Sequence, residues 1–91
     1  MLGFVEKDYG KTKVVDLHTM TLDEAIAEII YQINSVDIDI KNILLVHGYK
    51  NGTVLKDYIR KEFKHGKVIA IKNIDASCTL LVLKRENGGR K

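Results

Sequence analysis

Apolar residues switch between two spacings along this chain, and the switches mark its elements. Behind Thr21, the residues Leu22, Ala25, Ile26, Ile29, Ile30 and Ile33 recur three and four positions apart. That spacing predicts an amphipathic helix of about four turns. Thr21 and Glu24 stand three residues apart at its start, the arrangement of a capping box. Leu55, Tyr58, Ile59 and Phe63 mark a second helix, with Gly66 expected at its C′ position.

Short β-branched and apolar runs predict four strands: Lys13–His18, Asn42–His47, Val68–Ile71 and Cys78–Lys84. The second reads as buried on both faces. Ser35–Lys41 reads as a loop and Gly48–Gly52 as a glycine-bearing turn into the second helix. The order βαβαββ predicts an α/β fold (an α+β two-layer sandwich) with two helices and a four-stranded mixed sheet. Right-handed crossovers give three parallel strands. The short link from Asn73 to Ser77 makes the fourth antiparallel. If both helices cover one face of the sheet, Ile43, Leu45, Leu80 and Val82, or their neighbours, need cover on the other. Phe4, Val5 and Tyr9 of the N-terminal segment can supply it, and so can a dimer contact.

With 91 residues the chain makes one domain, divided here into an N-terminal segment over 1–12 that packs on it, a body over 13–84 and a polar tail over 85–91. No apolar run is long enough to span a bilayer, and MLGFVEKDYG does not read as a signal peptide. The single cysteine, Cys78, has no internal disulfide partner and reads as a buried strand residue. The expected compartment is the cytoplasm, with no membrane partner and a monomer favoured over a homodimer.

Net charge is only +3, but it is unevenly placed. Residues 1–40 carry three lysines against eight carboxylates, a net −5, whereas residues 41–91 carry twelve Lys/Arg against four carboxylates, a net +8. Two readings follow: a surface suited to phosphates, or two solvated faces without a partner. The positions of the basic residues favour the first. Lys56, Arg60 and Lys64 follow at i, i+4 and i+8, flanked by Lys61 and Lys67. This stripe continues from Gly48, Lys50 and Gly52, whose glycines let backbone amides approach a phosphate at a helix N-terminus. Tyr49 is the one aromatic placed to stack on a base.

Asp16 and His18 lie two apart at the end of the first strand and so share a face, while His47 ends the second. The carboxyl edge of a parallel sheet is where open α/β folds bind ligands. A carboxylate beside an imidazole fixes its tautomer, and two histidines at one phosphodiester can divide the work of base and acid. A divalent metal held by Asp16, His18 and His47 is the other option.

Asp16-Leu17-His18-Thr19-Met20-Thr21 and His47-Gly48-Tyr49-Lys50-Asn51-Gly52, in this order, resemble the small MutS-related (Smr) domain. That family carries a D-L-H-G-x-T-like motif before its first helix and an H-G-x-G-x-G motif between its second strand and second helix. The resemblance runs from about Val14 to Leu83 and includes Leu55-Lys56. It implies a two-layer fold like the C-terminal domain of bacterial translation initiation factor 3. It also implies nucleic-acid binding, of DNA or RNA, and hydrolase chemistry as an endonuclease that nicks DNA or cleaves RNA. Asp16, His18 and His47 match family residues linked to activity, and Gly48 and Gly52 match the loop glycines. Thr19 stands where the family has glycine, and Lys50 where it has the middle glycine of the second motif. A binding module without catalysis and a protein-interaction domain are the alternatives. If DNA is the substrate, Mg²⁺ or Mn²⁺ is the expected cofactor.

Overall fold

The computed structural model describes residues 11–37, 39–48 and 53–84. The N-terminal segment with Phe4, Val5 and Tyr9, the polar tail, and Tyr49, Lys50, Asn51 and Gly52 lie outside the described residues. Six elements follow one another: β1 (Lys11–Asp16), α1 (Leu22–Ser35), β2 (Ile40–Val46), α2 (Thr53–Lys61), β3 (Val68–Asp75) and β4 (Cys78–Leu83). They form two helices and a four-stranded mixed sheet.

α1 starts where the capping box places it. Thr21 Oγ1 accepts the Glu24 amide at 3.2 Å and Glu24 Oε1 accepts the Thr21 amide at 3.0 Å. Both otherwise orphaned donors are thereby satisfied. Asp23 and Glu24 add negative charge at the positive end of the helix dipole. Thr21→Ala is therefore expected to destabilise the fold by about 1 kcal/mol, read as a lower urea midpoint with unchanged slope.

The sheet order is β1-β2-β4-β3, and here the expectation of three parallel strands needs correction. Only β1 and β2 pair in parallel; β2–β4 and β3–β4 are antiparallel. β3 points the same way as β1 and β2 but pairs with neither. The cause is the composition of β4. It buries Thr79, Leu81 and Leu83 on one face and half-buries Cys78, Leu80 and Val82 on the other, which suits a central strand. β3 ends in Lys72, Asn73, Ile74 and Asp75, all exposed, which an edge strand tolerates. A two-residue turn, Ala76–Ser77, extends β3 well past the expected end at Ile71. Cys78, expected to be buried, is half-buried; its neighbour Thr79 is the buried residue.

Ile43 and Leu45 share a face with Leu81 and Thr79 and contribute to a single core with Ile29, Ile33, Leu55, Ile59 and Phe63. Both helices therefore cover one face of the sheet. The opposite face carries Leu44, Val46, Leu80 and Val82, half-buried, and Val14, which is exposed. α2 is shorter than its apolar stripe suggests. The amides of Glu62 and Phe63 both donate to the Tyr58 carbonyl, and the chain turns inward to bury Phe63 edge-on to Tyr58. Gly66 is thus not the C′ residue of α2, and its φ is not positive.

Candidate functional site

The carboxyl ends of β1 and β2 lie side by side, with Asp16 in register with Val46. Leu17 continues the ladder by donating its amide to the Val46 carbonyl and points into the core. Asp16 and His18 on either side of it point away from the helices. Asp16 Oδ1 accepts the backbone amide of His18 at 3.0 Å and lies 2.5 Å from His18 Nδ1. A carboxylate can only accept, so Nδ1 carries the proton of this contact and Nε2 is the ring atom left for a reactant. Both side chains are more than half exposed, at 60% for Asp16 and 56% for His18. The His18 side chain, then its amide, hold the Asp16 carboxyl below its usual range. Thr19 sits in a turn that does not require glycine. The Met20 amide closes the turn onto the Leu17 carbonyl, and no residue in it has positive φ.

His47 does not join this pair. It is 1% exposed and lies on the helix side of the sheet with Leu45, whereas Asp16 and His18 take the face of Val46. Its Nδ1 lies 3.0 Å from the Gly48 carbonyl and its Nε2 2.9 Å from Thr79 Oγ1. The carbonyl can only accept, so Nδ1 bears the proton and Nε2 of the neutral ring accepts from the Thr79 hydroxyl. Thr79 Oγ1 in turn accepts from Arg60 Nε at 2.8 Å. Burial is the main cause of a lowered His47 pKa; Arg60 and Lys56 add to it, against the Gly48 carbonyl and Asp75. The expected base–acid pair of His18 and His47 is therefore not formed: β alternation sends the two rings to opposite faces. For the same reason Asp16, His18 and His47 do not converge on one metal. Among the described residues no three His, Cys, Asp or Glu side chains are grouped to hold an ion.

Gly48 is where the two strand ends meet. Its φ is +78°, and a Cβ on it would stand 3.2 Å from His18 Cβ. Its amide is already committed: the Ser77 carbonyl accepts from both His47 and Gly48, at 2.9 and 3.1 Å. Gly48 thus gives no free donor to a phosphate. No family model, curated protein or solved structure matches the chain.

The basic stripe is also rearranged. Arg60 faces inward, its Nη2 donating to the carbonyls of Asp75 and Cys78 at 2.6 and 3.0 Å while Nε holds Thr79. Its guanidinium braces the β3–β4 turn and is not a free phosphate ligand. Lys64 lies beyond the end of α2, so the i, i+4, i+8 spacing does not carry to it. Lys61 and Lys64 are exposed and Lys56 half-buried. Sequence reading missed Thr79 and Ser77. The available signal was a lone hydroxyl, Thr79, at a core-facing position of an otherwise apolar run. Two grooves border Val36, Asp37 and Ile40, at the far end of the sheet from Asp16 and His18.

Proposed function

We propose that this chain is an Smr-like nucleic-acid-binding domain of the cytoplasm that cleaves phosphodiester bonds at the Asp16–His18 dyad. The observation that supports it most is an exposed imidazole, oriented through Nδ1 by a carboxylate, at the carboxyl edge of a parallel strand pair. On RNA, His18 Nε2 takes the 2′-hydroxyl proton, O2′ attacks phosphorus, and the bond to the 5′-oxygen breaks. The leaving oxygen takes its proton from solvent, since His47 is buried on the other face. The products are a 2′,3′-cyclic phosphate and a 5′-hydroxyl. On DNA no 2′-hydroxyl exists, and water activated by Mg²⁺ or Mn²⁺ would have to attack. The 2′-hydroxyl route needs only the imidazole base that the dyad supplies, so RNA is the proposed substrate.

Incubation with labelled RNA and DNA, with and without EDTA, tests this reading. Cyclic-phosphate products that persist in EDTA are expected. Absence of cleavage of either polymer leaves the second reading, a binding module without catalysis. That reading is favoured by the sequestration of His47, which removes one of two acid–base groups.

Binding in both readings rests on Lys50, Lys56, Lys61 and Lys64, with Tyr49 available to stack on a base. About four phosphate contacts give a log K against log[salt] slope of roughly −3 to −4. Lys56→Glu with Lys61→Glu is expected to flatten that slope by about two contacts and to weaken all sequences alike. A slope unchanged by the double reversal would remove α2 from the interface.

A further inference from the structure

We infer that Arg60, Thr79 and His47 form a positioning relay that sets the backbone of Gly48 against His18, resting on the reading of the Asp16–His18 dyad as the reactive pair. The chain of contacts is continuous and has one direction. Arg60 Nε donates to Thr79 Oγ1 at 2.8 Å, Thr79 donates to His47 Nε2 at 2.9 Å, and His47 Nδ1 donates to the Gly48 carbonyl at 3.0 Å. Each polar atom in it has the partner its chemistry requires. Arg60 cannot lose its proton, so the direction of donation is fixed from that end. The Gly48 carbonyl fixes it at the other.

The far end of the relay is where geometry is tightest. Gly48 has φ +78°, and a Cβ added to it would stand 3.2 Å from His18 Cβ. His47 holds its carbonyl and Ser77 holds its amide. Arg60 anchors the other end by donating to the Asp75 and Cys78 carbonyls on either side of Ser77. One guanidinium thus ties α2, the β3–β4 turn and the end of β2 into the wall behind His18. Arg60, Thr79 and His47 touch no reactant; they position the backbone on which the dyad rests.

Nitrogen-15 NMR of the histidine rings gives a test that needs no activity. His47 is expected as the neutral Nδ1–H tautomer near pH 7, with Nε2 as a hydrogen-bond acceptor. In Thr79→Val the Nε2 resonance loses that bond and the Gly48 amide shifts, while Thr79→Ser restores both. An Nε2–H tautomer, or a Gly48 amide indifferent to Thr79→Val, overturns the relay whatever the substrate. The kinetic arm uses RNA cleavage: Thr79→Val is expected to lower kcat about tenfold to a hundredfold with KM held, because misplacement near 1 Å has that cost. Wild-type kcat in Thr79→Val, alongside inactive His18→Ala, overturns the relay and leaves the dyad standing. If the wild type cleaves nothing, the dyad reading fails, and the NMR arm alone decides the relay.

Discussion

His18→Ala is expected to lower RNA cleavage by about 10²–10⁴, some 3–5 kcal/mol of transition-state stabilisation, with little change in melting temperature. The two halves of this expectation have different causes. The rate falls because Nε2 of His18 is the acceptor for the attacking hydroxyl's proton, and no described group takes its place. His47 faces the core, and Asp16, whose carboxyl lies below the ordinary 3.8, is too weak a base to replace the imidazole. Stability holds because the ring is more than half exposed and is not part of the buried core. Loss of the ring also has a spectroscopic mark. Asp16 keeps the backbone amide of residue 18 as a partner but loses the side-chain contact that lowers its pKa most. Its carboxyl titration therefore moves up towards the ordinary value of 3.8. Asp16→Asn tests the partner directly: the ring loses its charged acceptor and part of its orientation, so kcat falls while KM stays. A rate unchanged in folded His18→Ala would end the dyad reading.

The features legible in the sequence are those encoded locally. The Thr21–Glu24 box, the stripe from Ala25 to Ile33 and the alternation that puts Asp16 and His18 together are all relations within a few residues. The misreadings concern distant partners. Nothing near Val68 says that β4 will separate it from β2; that follows from β4 being apolar on both faces and β3 being polar at its end. Lys56 and Arg60 look alike on a helical wheel, but only Arg60 reaches Thr79 across to β4. His47 was placed correctly at a strand end beside Asp16 and His18, yet its direction depends on a ladder thirty positions away, at Thr79 and Ser77. Position along an edge was legible; the face on which each ring emerges was not.

His47→Ala is expected to cost about 2–5 kcal/mol of folding stability, the opposite of the result at His18. The ring fills space that its loss leaves as a cavity, and the Gly48 carbonyl and Thr79 hydroxyl both lose a partner. Against the ~5–15 kcal/mol that holds a domain together, that is a large fraction, and the variant approaches unfolding. The same ring gives stability a pH dependence of definite sign. Burial, Arg60 and Lys56 lower the folded pKa of His47 below the ordinary 6.5, against the Gly48 carbonyl and Asp75. The unfolded chain then binds more protons than the folded one as pH falls past 6.5, so this contribution is complete above that pH and shrinks below it. Asp16 and Asp75, whose folded pKa values are also lowered, act in a separate window below 3.8. Urea midpoints taken from about pH 7.5 down to about 4.5 isolate the histidine. His47→Gln keeps an amide donor and acceptor near the Gly48 carbonyl and Thr79 hydroxyl but does not titrate. It is expected to be less stable than wild type near neutrality and to show a shallower decline on acidification. A decline as steep in His47→Gln as in the wild type would place the titrating group elsewhere and remove His47 from the acid sensitivity of the fold.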